Sequence, residues 1–252
     1  RPLATFIVDK SELFLAPKFD QIITADDAVR ERFGSHPHVE ILYNFADFVP
    51  EEKPEIEKEY DVIYQGGITL ERGAYNLVQA IHLLKEKYPQ IKLVFVGPFN
   101  DPEGRELVYN YIEQNNLSEN VLFVGKVPHL EVENYIRKAK IGAVTLLPVP
   151  KYYKNIPIKQ FEYMSCGIPV VGSDLPPIKR FLEPYNSGIV VDPTKPEEIA
   201  KALNILLADP RLCKEMGQNG LRAVREEYNW GKMEERLFKI YSRLERELEE
   251  NK

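Results

Sequence analysis

The sequence predicts an α/β chain built on a doubly wound parallel sheet, and three observations carry that expectation. From Tyr60 onward, short β-branched runs alternate with segments of helical period. Each run is almost continuously apolar, as parallel strands covered on both faces must be. The intervening segments place apolar residues three and four apart, the stripe a helix needs to lie on a sheet. Repeated alternation of this kind closes into one sheet, and right-handed crossovers bring the strand C-termini to one edge, where such sheets bind ligands.

Taken in order, residues 4–8 read as a strand and residues 21–24 as a second. Residues 26–33 read as a helix with Asp26 or Asp27 near its start, and residues 39–42 as a further strand. That is too little to close a sheet. The polar, Pro-containing stretch that follows, Glu51 to Glu59, reads as a linker. Strands are then expected at 60–65, 93–96, 121–124, 141–146, 169–172 and 188–191. Leu77, Ala80, Ile81 and Leu84 form the stripe of the first crossover helix. Leu107, Tyr111 and Ile112 mark the second, and Leu130, Val132, Tyr135 and Ile136 the third. Pro157 suits the first turn of another helix, with Phe161 and Met164 facing the core and Gly167 ending it. After Trp230 the apolar set Met233, Leu237, Ile240, Tyr241, Leu244 and Leu248 spells a long amphipathic helix. The expected organisation is therefore residues 1–48 as the end of another α/β domain, 49–59 as linker, 60–229 as the sheet domain and 230–252 as a C-terminal amphipathic helix. Arg1 is not Met, and a first domain so short reads as part of a longer one.

Composition narrows the functional classes. Lys and Arg number 33 against 39 Asp and Glu, a net charge of −6, so no overall basic field draws nucleic acid. The longest apolar run, residues 141–149, is broken by Thr145 and Pro148 and falls short of a bilayer span. Cys166 and Cys213 are far apart in no C-x-x-C pattern, which predicts reduced thiols in a cytoplasmic setting and no zinc site. His36 and His38 lack further ligands nearby in sequence, so no metal is expected.

Two stretches could carry chemistry. Gly66-Gly67-Ile68-Thr69-Leu70-Glu71-Arg72-Gly73 lies between a strand end and a helix start. Glycines there let backbone N–H groups approach an anion, and Arg72 offers a fork-shaped cation to phosphate oxygens. The alternative is a tight turn with Arg72 in solvent. In the second stretch, Asn155 to Val171, Lys159 and Glu162 are three apart on one helical face. A carboxylate accepts two hydroxyl hydrogen bonds in parallel, which suits a ribose diol, and an ammonium beside it suits phosphate or a sugar hydroxyl. The alternative is a surface ion pair worth less than ~1 kcal/mol. His129, after Gly125-Lys126-Val127-Pro128, either lines the same edge or simply starts a helix.

Together these loops resemble a known family. G-G-I-T-L-E-R-G, V-F-V-G-P-F, V-L-F-V-G-K-V-P, N-I-P-I-K-Q-F-E-Y-M-S-C-G-I-P-V-V-G-S-D, G-I-V-V-D-P and E-Y-N-W occur in the order seen in the C-terminal, donor-nucleotide half of GT-B-fold glycosyltransferases. The group is the retaining, glycogen-synthase-like and mannosyltransferase-like one (glycosyltransferase group 1, family 4-like). Phe19 to Thr24 and Leu42 to Phe45 resemble the closing segments of that fold's N-terminal, acceptor-binding domain.

The resemblance implies a Rossmann-like donor domain that takes a nucleotide-sugar, UDP- or GDP-linked, as substrate and uses neither cofactor nor metal. It implies that Glu162 binds the ribose hydroxyls and that Arg72, with backbone at Gly66 and Gly67, binds the diphosphate. The backbone at Lys126 and Val127 would cradle the base, Lys159 would contact phosphate or sugar, and Asn155 with the local backbone would contact the transferred sugar. Glu162, Arg72 and Lys159 are the expected catalytic set. The acceptor implied is a saccharide or a lipid-linked one, as in polysaccharide biosynthesis, which leaves room for peripheral membrane contact through a domain outside this sequence. Without that domain the chain is expected to bind donor but transfer poorly. Two positions depart from the family pattern. Lys154 stands eight residues before Glu162, where many relatives carry a carboxylate, and Gly67 stands where many carry a second basic residue. A non-catalytic nucleotide-sugar-binding module and a GT-B-like epimerase are the alternative functions.

Overall fold

The computed structural model describes residues 2–46 and 56–250. It divides into two compact units, Arg1–Asp47 with Asn229–Lys252, and Phe48–Tyr228.

The first unit begins with helix α1 (Pro2–Leu15), where the sequence predicts a strand over residues 4–8. A short apolar run does not distinguish the two, and here the run is one part of a 14-residue helix. Strand β1 (Ile22–Thr24), helix α2 (Asp27–Arg32) and strand β2 (Val39–Ile41) follow. The two strands pair in parallel, Ile22 opposite Val39. Asp26 caps α2, its carboxylate accepting the Val29 N–H at 2.8 Å. The His36 ring sits between the carbonyl oxygens of His38 at 3.0 Å and Phe19 at 2.8 Å, a structural use of both nitrogens.

The second unit is the predicted α/β sheet. In chain order it comprises β3 (Tyr60–Gln65), α3 (Ala74–Lys85), β4 (Leu93–Val96), α4 (Pro102–Gln114), β5 (Val121–Gly125) and α5 (His129–Arg137). It continues through β6 (Ala139–Val144), α6 (Lys159–Ser165), β7 (Val170–Ser173), α7 (Pro176–Leu182), β8 (Gly188–Val191), α8 (Pro196–Ala208) and α9 (Pro210–Glu226). The strand order is β5-β4-β3-β6-β7-β8 with every pair parallel. The sheet winds one way from β3 to β5 and the other from β6 to β8. The crevice at the C-terminal ends of β3 and β6 is therefore the topological switch point, where open α/β sheets bind ligands.

Leu77, Ala80, Ile81 and Leu84 are buried on α3 as their spacing predicts. On α4 the core residues are Val108 and Ile112, while Leu107 is exposed; on α5 they are Val132 and Ile136, while Leu130 is 89% exposed. In both helices the buried stripe is offset from the apolar residue at its predicted start. Helix α6 begins at Lys159, two residues after Pro157, whose carbonyl accepts the Gln160 N–H at 3.3 Å. All seven α6 residues are buried. The close seat of α6 depends on Gly142 of β6, where a Cβ would come within 2.3 Å of the Tyr163 ring. Gly167, at φ +67°, then ends the turn.

Helix α10 (Trp230–Glu250) belongs to the first unit, where it buries Met233 and Ile240. Tyr241 and Leu248, predicted on its apolar stripe, are exposed. The Tyr43 N–H points to the Met233 sulfur at 3.3 Å, and Arg243 donates to the Gln21 side chain. Most of the predicted linker, 49–55, lies outside the described residues. No described helix is long and apolar enough to cross a membrane.

Candidate functional site

At the sheet's C-terminal edge, three adjacent strands end in glycines with positive φ: Gly66 at +100°, Gly97 at +143° and Gly125 at +81°. They are joined in sequence across the edge. The Gly66 N–H donates to the Val96 carbonyl and the Gly97 N–H to the Gly125 carbonyl, both at 2.8 Å. A Cβ at Gly97 would lie 2.2 Å from the Gly66 carbonyl oxygen, so only glycine lets these strand ends approach. The glycine loop after β3 runs into α3, whose first turn is reached through Gly73 at φ +77°. Among the described residues the Gly67 N–H has no partner, which leaves a backbone donor on the loop before a helix N-terminus.

Two cations converge on this loop. A Cβ at Gly66 would lie 3.9 Å from both the Arg72 Nη1 and the Lys159 Nζ, and one at Gly67 would lie 3.7 Å from the same Arg72 nitrogen. Arg72 is half-buried. Lys159 is 7% exposed and its Nζ has no hydrogen-bond partner, although it lies 3.6 Å from the centre of the Tyr64 ring. Burial, and then the nearby Arg72 charge, push the Lys159 ammonium well below its ordinary pKa, opposed by Glu162. Stacking on an aromatic face returns about 2 kcal/mol to a desolvated cation, less than the cost of taking an ammonium out of water unpaired. Tyr64 itself is fully buried, its hydroxyl donating to the Gly67 carbonyl at 3.1 Å, which fixes the loop from beneath.

Glu162 is 6% exposed, one helical turn beyond Lys159. Its carboxylate accepts a hydrogen bond from the Gln65 side-chain amide at the end of β3. Burial raises its pKa, while the charges of His129 and Lys159 and the Gln65 hydrogen bond pull it down. The surface ion pair weighed from spacing is not what forms: both side chains are buried, and the ammonium makes no hydrogen bond to the carboxylate. Gln65 is itself held through its backbone N–H, which donates to the Tyr163 hydroxyl at 2.9 Å.

The structure thus brings Gly66, Gly67, Arg72 and Lys159 together, with Glu162 tied to the same strand end through Gln65. Lys126 is exposed and Val127 half-buried in the turn from β5 to α5, and no hydrogen bond or ion pair among the described residues joins them to the cluster. Asn155 is exposed as well, its backbone N–H donating to the Lys151 carbonyl at 3.1 Å. Lys154 is exposed beside it. His129 is exposed and starts α5, and its charge is among those that lower the Glu162 pKa. Three residues of the site, Tyr64, Gln65 and Asn100, were not singled out by motif, and Gly97 entered only as part of the V-F-V-G-P-F run. Their signal was their place at or just beyond the ends of β3 and β4. Chemically, two cations and a free backbone donor around a glycine turn suit a doubly charged anion, and the buried carboxylate suits a pair of hydroxyls.

Comparison with known proteins identifies the family. The family model described as "Glycosyl transferases group 1" matches residues 46–223. The alpha-maltose-1-phosphate synthase of Mycolicibacterium smegmatis is 29% identical over 190 residues, covering 73% of this chain and 48% of that protein. Among solved structures, HepE from Anabaena in complex with UDP superposes with a TM-score of 0.75 at 17% identity, over 93% of this chain and 67% of that one. The C-terminal domain of a glycosyl transferase group 1 family protein (LpcC) from Francisella tularensis matches with a TM-score of 0.61 at 19% identity, over 73% of this chain and 96% of that domain. The chain spans about half the length of the curated relatives it matches. With the family model covering most of its length and the parallel sheet and glycine-edged crevice in place, the chain belongs to the group 1 glycosyl transferases.

Proposed function

We propose that the Phe48–Tyr228 unit is the donor-binding half of a glycosyltransferase that moves a sugar from a nucleoside diphosphate sugar to a saccharide or lipid-linked acceptor. The observation that carries this reading is the buried, unpartnered Lys159 ammonium facing Gly66 beside Arg72. Evolution does not readily keep an unpaired cation in a core; a bound dianion supplies its partner. Glu162 takes the ribose hydroxyls, and the backbone from Lys126 to Pro128 takes the base. A solved relative of the same fold binds UDP, which makes a uridine donor the first to test, with GDP second.

On this reading the chemical step is departure of the nucleoside diphosphate from an oxocarbenium-like sugar. Arg72, Lys159 and the Gly67 N–H would face the negative charge that grows on the leaving oxygen, so stabilising it needs little reorganisation. Two side-chain cations and a helix terminus offset most of the charge a divalent ion would otherwise neutralise, and the proposed transfer is metal-independent. Retention at the anomeric carbon is proposed from the motif group the chain resembles. We assign the first unit, Arg1–Asp47 with Asn229–Lys252, to the acceptor-binding domain; because the chain spans about half the length of the curated relatives it matches, it is proposed to bind donor and to transfer poorly by itself. Isothermal titration of UDP and GDP tests the reading. Binding of one of them that weakens at least tenfold in Glu162→Ala supports it, and heat-silent, shift-free titrations of both overturn it.

A further inference from the structure

We propose that Asn100 is a further ligand-contacting residue of this site, its side-chain amide donating to a phosphate oxygen of the bound nucleoside diphosphate from the β4 side of the crevice. The inference rests on the donor-site reading and adds to it a residue from a third segment.

The loop after β4 is stitched to the glycine loop along its length. The Ile68 N–H donates to the Pro98 carbonyl at 2.9 Å and the Asn100 N–H to the Ile68 carbonyl at 3.1 Å. Beyond Asn100, Asp101 accepts the Leu70 N–H at 3.4 Å and caps α4 through Gly104 at 2.9 Å. The backbone of Asn100 is therefore fixed relative to Gly67. Its side chain reaches over that residue, and a Cβ at Gly67 would lie 2.8 Å from the Asn100 Nδ2.

That amide is exposed and makes no hydrogen bond to any described residue, unlike Asp101 next to it. Three side-chain nitrogens from three different segments, two loops and the start of α6, thus border Gly66 and Gly67: the Arg72 Nη1, the Lys159 Nζ and the Asn100 Nδ2. The first two bring charge. The third brings two directional N–H donors without adding a third cation, and its rotation about the last side-chain bond presents them to an oxyanion above Gly67. The absence of a side chain at Gly67 leaves room for that oxyanion between Asn100 and Arg72.

The test is isothermal titration of UDP and GDP into the whole chain and its Asn100→Ala, Asn100→Asp and Arg72→Ala variants, with thermal unfolding of each as a control. Because the side chain is exposed, both Asn100 variants are expected to unfold within a few degrees of the parent. Asn100→Ala should weaken whichever diphosphate binds by about tenfold, the low end for a hydrogen bond to a charged group. Asn100→Asp, equal in size but anionic, should weaken it further. If both variants bind like the parent while Arg72→Ala does not, Asn100 is not a ligand contact and the donor site stands without it. If the parent binds neither nucleotide, the donor-site reading fails and this inference fails with it.

Discussion

The Lys159 ammonium lies 3.6 Å from the centre of the Tyr64 ring, buried and without a hydrogen-bond partner. Folding alone gains little from that arrangement, so the two properties of the residue separate experimentally. Lys159→Met fills the same volume without the desolvation cost. The variant is expected to be more stable by about 1–2 kcal/mol, in the range seen when buried charges give way to apolar groups. It should also lose about 10- to 100-fold in nucleoside diphosphate affinity. Chemical denaturation alongside titration checks both, and a variant that is less stable yet binds normally would contradict the assignment.

The same residue sets a pH dependence. Its folded-state pKa is lowered well below 10.5, so between that lowered value and 10.5 the unfolded chain binds more protons than the folded one. Stability from this group therefore rises with pH across that window. A dianion beside the ammonium restores the proton, so binding takes up protons in the same window and weakens as pH rises through it. Titration in two buffers of different ionisation enthalpy reads the uptake directly, and Lys159→Met should abolish it.

Glu162 shifts the opposite way. Its pKa is raised by burial, so its contribution to stability falls as pH rises from 4.5 through the raised value. Glu162→Gln, which keeps the size and the contact to Gln65, should flatten that slope without unfolding the chain. It should still cost about tenfold or more in nucleotide affinity, because the amide has one accepting oxygen where the carboxylate has two, and the contact to Gln65 engages it. Denaturation midpoints from pH 4 upward, compared with titration at neutral pH, distinguish the two effects.

Gly97 tests the edge itself. A Cβ there meets the Gly66 carbonyl at 2.2 Å, and φ +143° already excludes most side chains. Gly97→Ala should destabilise the chain by about 2–4 kcal/mol through overpacking and backbone strain. Even where it still folds, nucleotide affinity should fall, since relief comes by pushing Gly66 and its loop away from Arg72 and Lys159. Retained stability and affinity would show that the strand ends have more freedom than their spacing allows.

Most of the second unit was legible because buried parallel strands announce themselves: 60–65, 93–96 and 188–191 need no revision. Residues 4–8 misled because five apolar or β-branched residues fit either structure, and only the helix running on to Leu15 decides it. On α4 and α5, Leu107 and Leu130 look like core residues by type, yet the sheet meets the face one or two positions on. The glycine loop, Arg72, Lys159 and Glu162 were visible as motif. Asn100 and the Tyr64 platform were not, and the role of Gly97, present in the V-F-V-G-P-F run, was not either, because they reach the site by bonds between strand ends that no spacing along the chain records.

The donor-site account is tested most directly by thermal unfolding of the whole chain with a panel of nucleoside diphosphates and their sugars. A ligand present at 100 times its dissociation constant adds ~2.7 kcal/mol to the folded state, a shift of several degrees. A rise with at least one nucleoside diphosphate that disappears in Arg72→Ala and Glu162→Ala is the expected result. No rise with any member of the panel would contradict the account.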